Sequence, residues 1–109
     1  MGLYHDLGDV GGEAEALNEK GTLHQVSGDL AQAERCHRRA LDLARDTASS
    51  WDEAHALAGL GRCALAVGHT RQAADRMRQA LEIFQRIGAA EAPGVSRELG
   101  ALIKAGPAG

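Results

Sequence analysis

The feature that most restricts the fold of this chain is an internal repeat with a constant offset of 40 residues. When the sequence is aligned with itself at that offset, small residues align with small residues, charged with charged and apolar with apolar. The matched pairs include Glu13 and Glu53, Ala14 and Ala54, Leu17 and Leu57, Gly21 and Gly61, Gly28 and Gly68, Gln32 and Gln72, Ala33 and Ala73, Arg38 and Arg78, and Ala40 and Ala80. One offset over so many positions indicates a stacked-repeat architecture.

Each repeat unit has the pattern of two helices joined by a glycine turn. Apolar residues around Leu17 and Leu57 follow helical spacing, which predicts the first helix of each unit. Gly28 and Gly68 come next, and glycine tolerates the left-handed conformation that often ends a helix. Asp29 is then placed to cap the second helix. The sequence therefore predicts an all-α fold built from antiparallel helical hairpins.

The segments outside the two full units continue the same pattern. Ser50 and Glu53 form a capping-box pattern at the start of the second unit, and a closing helix is predicted to bury one apolar face, formed by Val95, Leu99 and Leu102. The predicted organisation is the end of a preceding repeat helix at 1–8, repeats at 9–48 and 49–88, a capping helix at 89–105 and a tail at 106–109. A start in mid-repeat suggests that the chain was cut from a longer array, so the terminal helices of the fragment would expose apolar surface and favour self-association.

Composition restricts the classes of function. The chain has 109 residues, 44% of them hydrophobic, which fits one domain. Its net charge is −3 and it has no run of Lys or Arg, so we expect no direct contact with nucleic acid or an anionic membrane. It also lacks a bilayer-spanning apolar run and a signal-peptide pattern. Cys36 and Cys63 lack metal-ligand spacing, so we expect free thiols and a cytoplasmic location.

One group of side chains raises the question of a metal or a catalytic site. His24 and His37 are predicted on the two helices of one hairpin, and Cys36 precedes His37. A metal site needs three or four converging ligands, whereas the second repeat has Ala64 and Met77 at the positions of the two histidines. We therefore predict packing histidines, no metal, no cofactor and no enzymatic activity, with a metal-binding or enzymatic domain as the alternative.

The small residues at matching places in the two units resemble the signature positions of tetratricopeptide repeats. They are Gly21, Gly28, Ala33 and Ala40, then Gly61, Gly68, Ala73 and Ala80. Leu17 and Leu57 occupy the family's large apolar position, although His24 and Ala64 stand where an aromatic residue is usual. The resemblance implies a tetratricopeptide-like α-solenoid of about two and a half antiparallel helical hairpins that binds a protein or peptide.

The length of the repeat and its Ala- and Arg-rich composition point to a narrower resemblance within this family. A period of 40 exceeds the commoner period of about 34, and strings such as AERCHRRALDLAR are similar to variant repeats in the C-terminal sensor regions of large actinobacterial transcription regulators of the antibiotic-regulatory-protein kind. This resemblance implies a parent regulator whose other domains carry out DNA binding and nucleotide hydrolysis.

The resemblance also implies a concave face lined by first-helix residues. By register, its candidate partner-binding residues are Glu15, Asn18, Thr22, Gln25, His55, Arg62, Arg97 and Lys104. Asn18 with Arg62 and Arg97 is similar to the carboxylate-gripping groove of chaperone-binding members, and the alternative is a solvated polar helix face. The implied partner is a protein, a peptide or another domain of the parent chain. A structural spacer or self-association segment is the competing function.

Trp51 stands just before the first helix of the second unit and has two interpretations. A large apolar residue there can staple the entering chain to the first turns of the helix. An exposed Trp is instead a common anchor for a partner protein. The sequence favours packing and leaves the anchor as the alternative.

Overall fold

The computed structural model describes residues 10–105, which form five α-helices. They are α1 (Val10–Val26), α2 (Leu30–Asp46), α3 (Ser50–Ala66), α4 (Thr70–Arg86) and α5 (Ala92–Ala105). The first four helices have 17 residues each, and α3 and α4 begin and end 40 residues after α1 and α2. The backbone thus repeats with the period of the sequence, and the predicted all-α solenoid is confirmed. The predicted elements at 1–8 and 106–109 lie outside the described residues.

The turns inside the two hairpins follow the predicted glycine chemistry. Gly28 and Gly68 have φ angles of 91° and 87°, in the left-handed region that favours glycine. The side chain of Asp29 accepts a hydrogen bond from the backbone N–H of Gln32, at 3.3 Å, and so caps α2. The predictions of both glycine turns and of the Asp29 cap are confirmed.

The cap of α3 differs from its prediction by one residue. Ser49, not Ser50, is the N-cap: its hydroxyl accepts from the backbone N–H of Asp52 at 3.4 Å and donates to the Asp52 carboxylate at 2.9 Å. The preceding Ala48 adopts a left-handed φ of 56°, and Ser49 is left in the extended conformation that an N-cap requires. The predicted pairing of Ser50 with Glu53 was therefore wrong, because Ser50 is already inside the helix.

Helix α3 is the centre of the molecule, since it packs against α1, α2 and α4. Most of its side chains are buried, and α5 covers the end of the core with Val95, Leu99 and Leu102, as predicted. Small residues allow close approach: a Cβ atom at Gly59 would lie 2.4 Å from the ring of His37. Glycine there makes room for a buried imidazole between the helices.

Candidate partner-binding face

One side of α3 remains accessible although most of the helix is buried. Trp51, His55 and Arg62 are four and seven residues apart, so they lie on one side of the helix, and each is at least partly exposed. Helix α1 runs beside this side and contributes exposed polar residues. We call the surface formed by Glu15, Glu19, Thr22, Trp51, His55 and Arg62 the α1–α3 face.

A cleft of about 150 Å³ opens on this face between α1 and α3. It is lined by Glu15, Asn18, Glu19, Thr22, Trp51, Asp52 and His55. The ring centroid of Trp51 lies 4.6 Å from that of His55 and 6.2 Å from that of Phe84, yet 43% of the Trp51 residue is exposed. Trp51 therefore packs, as the sequence favoured, and also presents surface to the cleft.

Asn18 was predicted to reach a partner, but the structure buries it to 7% exposure. Its side-chain amide donates to the backbone carbonyl of Asp52 at 3.2 Å, and its Oδ1 accepts from Nδ1 of His37 at 2.9 Å. A buried amide whose donor and acceptor are both paired is part of the packing. Asn18 therefore forms the floor of the cleft and holds α1 to α3, and its contact with a partner stays a prediction.

The guanidinium of Arg62 already holds a carboxylate. It donates to both oxygens of Glu98 on α5, at 2.9 and 2.7 Å, and both side chains are about two-fifths exposed. These hydrogen bonds raise the pKa of Arg62 and lower that of Glu98. The carboxylate-binding chemistry that the sequence placed at Arg62 is used within the chain, and no sequence pattern pointed to Glu98 as its partner.

His55 also faces an acidic residue near α5. Its Nε2 lies 3.3 Å from Oε2 of Glu91, without the alignment of a hydrogen bond, and each side chain is about one-third exposed. The His55 ring additionally packs edge-on against Phe84, at 5.1 Å between centroids. Both basic groups of the α1–α3 face, those of Arg62 and His55, are thus next to a carboxylate.

The remaining predicted residues are spread over the molecule. Gln25 is half-buried near the end of α1, and Arg97 and Lys104 are exposed on α5. Arg97 lies about 200° around the helix from buried Leu99, and Lys104 about 200° from buried Leu102. Both basic residues therefore point away from the core.

The histidine and cysteine residues do not converge. His37 is buried, whereas His24 and Cys36 are only partly buried on different helices. Among residues 10–105 no group of three or more His, Cys, Asp or Glu side chains could hold a metal ion. Burial raises the pKa of the Cys63 thiol, with a further contribution from the nearby Glu34 charge. That environment disfavours the reactive thiolate.

Equal hairpins stacked side by side, with a polar face on the first helices, define a helical-repeat scaffold. The family model for the tetratricopeptide repeat matches residues 12–86, and the chain belongs to that family. Its repeats generally mediate protein–protein interaction, and the fold is typically a non-enzymatic scaffold. A comparison with curated proteins finds no significant match. In the described part of the chain, no helix is both long and apolar enough to cross a membrane.

Two members of the α1–α3 face were not among the predicted binding residues. Trp51 stands four residues before His55, so helical spacing alone could have placed it on the same side. Glu19 stands four residues after Glu15 and is related to it in the same way. The pairing of Arg62 with Glu98 had no such signal, because 36 residues separate the two.

Proposed function

We propose that the chain is a protein- or peptide-binding module that uses the α1–α3 face, within a larger cytoplasmic regulatory protein such as a transcription regulator. The observation that carries the proposal is the accessible stripe of Trp51, His55 and Arg62 on the mostly buried helix α3. Side chains held in register by stacked hairpins lose little conformational entropy when a partner binds. The partner is a separate protein or another domain of the parent chain.

The proposal is tested by selecting peptides from a random display library on the folded chain. A bulky cation introduced by Thr22→Arg would fill the cleft, so selected peptides should bind that variant at least about tenfold more weakly. Gln79→Arg is the matched control, because it places the same side chain at an exposed position of α4. Dissociation constants are measured by fluorescence polarisation of the labelled peptides.

Equal affinity of the selected peptides for Thr22→Arg and for the wild-type chain would contradict the proposal.

A second candidate function, a spacer or self-association segment, is favoured by apolar side chains that are exposed on the terminal helices. They are Leu23 at 69%, Val26 at 82% and Ile103 at 55% exposure. In that case the chain would sediment as an oligomer in analytical ultracentrifugation, Val26→Lys would dissociate it, and Thr22→Arg would have no effect.

A further inference from the structure

We infer that the cleft between α1 and α3 binds a cationic side chain, Arg or Lys, of a basic partner segment. The inference rests on the proposed function and specifies the chemistry of the partner. Three features of the cleft support it: two carboxylates, a Trp ring packed against its neighbours, and a volume large enough for one side chain.

The two carboxylates belong to Glu15 and Glu19, which stand one helical turn apart on α1 and line the cleft. Both are exposed, and neither forms an ion pair with another residue between 10 and 105. Like charges at this spacing repel each other and destabilise the helix that carries them. A cation between them would remove the repulsion and gain two attractive interactions.

The opposite wall of the cleft supplies an aromatic surface. Trp51 is held by its ring contacts with His55 and Phe84, so its indole is in place before a partner arrives. The face of a Trp ring attracts guanidinium and ammonium groups through its quadrupole. The cavity of about 150 Å³ is smaller than the ~300 Å³ at which small-molecule sites usually begin, which suits the end of one side chain.

The charge balance of the face disfavours an acidic occupant. Arg62 is paired with Glu98, and His55 lies beside Glu91, so the basic groups are already compensated. Asp52, on the cleft wall, adds a third carboxylate, held by a hydrogen bond from Ser49. The uncompensated charge of the cleft is negative, and it matches a basic segment.

The test uses the display-selected peptides. We expect them to contain Arg or Lys, and replacing that residue by neutral citrulline or acetyl-lysine should weaken binding about fivefold or more. Glu15→Gln with Glu19→Gln should weaken binding to a similar extent, and the effect should shrink at high salt. Glu82→Gln, at an exposed position of α4, is the matched control and should leave affinity unchanged.

Trp51 provides a second measurement, because it is the only Trp of the chain and its fluorescence reports on the cleft. A basic peptide should change its emission with the same dissociation constant as the polarisation assay. Trp51→Leu should raise the dissociation constant of the labelled peptide about threefold, while circular dichroism shows an intact fold.

The outcomes separate this inference from the proposed function. Peptides that lose affinity for Thr22→Arg but contain no basic residue, or contain acidic ones, overturn the inference and leave the proposed function standing. Basic peptides whose affinity is unchanged by the Glu15→Gln and Glu19→Gln substitutions overturn the inference as well. If no selected peptide is sensitive to Thr22→Arg, both fail.

Discussion

His37 is held in one protonation state by its neighbours. The amide of Asn18 donates to the Asp52 carbonyl, so its oxygen must face the imidazole, and Nδ1 of His37 must carry the proton. The other ring nitrogen, Nε2, is buried without a hydrogen-bond partner among the described residues. Burial, helped by the nearby positive charge of Arg62, lowers the pKa of His37 to about 4. The neutral imidazole is thus a core side chain.

This pKa predicts a loss of stability in mild acid. Because the pKa of His37 falls from 6.5 to about 4 on folding, the unfolded chain binds more protons between those pH values. The His37 contribution is fully present above pH 6.5 and is lost as the pH falls towards 4. The free energy of unfolding, measured by urea denaturation across this range, should decrease with a limiting slope of ~1.4 kcal/mol per pH unit.

Two variants isolate the contribution of His37 from those of other titrating groups. His37→Met introduces the residue found at the equivalent position of the second repeat, Met77, and should flatten the pH profile whatever its stability at neutral pH. His69→Gln, which changes an exposed histidine, is the matched control. A wild-type slope in His37→Met would show that another group is responsible.

At the scale of the elements, both hairpins end with a residue in the left-handed conformation, but the residue differs between them. Ala48 follows α2 with a φ of 56°, and Gly88 follows α4 with a φ of 68°. The two positions are 40 residues apart and are equivalent in the repeat. A residue with a Cβ atom is strained in the left-handed region, by about 1–2 kcal/mol, whereas glycine is not.

Exchanging these residues should change stability in opposite directions. Ala48→Gly removes the strain but adds unfolded-state entropy, so the free energy of unfolding should rise by roughly 0.5–1 kcal/mol. Gly88→Ala should lower it by a similar amount, since a Cβ atom there meets no heavy atom within 4 Å and only the backbone term changes. Urea denaturation at neutral pH measures both variants, and changes of the same sign would contradict this account.

At the scale of the whole molecule, α5 is attached in two ways. It packs on α4 through its buried apolar face, and it reaches α3 through the pair of Arg62 with Glu98. The pair links the α1–α3 face to the end of the solenoid. A change at Arg62 therefore affects both the face and the terminal helix.

A double-mutant cycle with Arg62→Ala and Glu98→Ala should give a coupling energy of about 0.5–1 kcal/mol, because the pair is bidentate but half-exposed. High salt should reduce this energy. The more exposed pair of Arg78 with Asp75, within one helix, is the control and should couple by no more than about 0.3 kcal/mol. Hydrogen exchange should speed up in α5 of Glu98→Ala while α1 and α2 keep their protection.

Much of the fold was predictable because its signals are local. The helix-ending roles of Gly28 and Gly68 and the cap at Asp29 depend on residues within one turn of each other, and the structure has them where the sequence placed them. The wrong assignment of the α3 N-cap to Ser50 also came from a local signal. Either of the adjacent residues Ser49 and Ser50 could be the N-cap, and the choice depended on the left-handed backbone of Ala48, a conformation unusual for alanine.

The sequence by itself determined the period of the repeat, the helical class and the buried face of α5, because spacing along one helix decides which side is apolar. Only the tertiary structure decided which polar side chains of the first helices remain accessible. Asn18 is buried by partners 19 and 34 residues away, and Arg62 is engaged by one 36 residues away. Register along a helix shows that side chains share a face, but contacts between helices decide whether they are already paired.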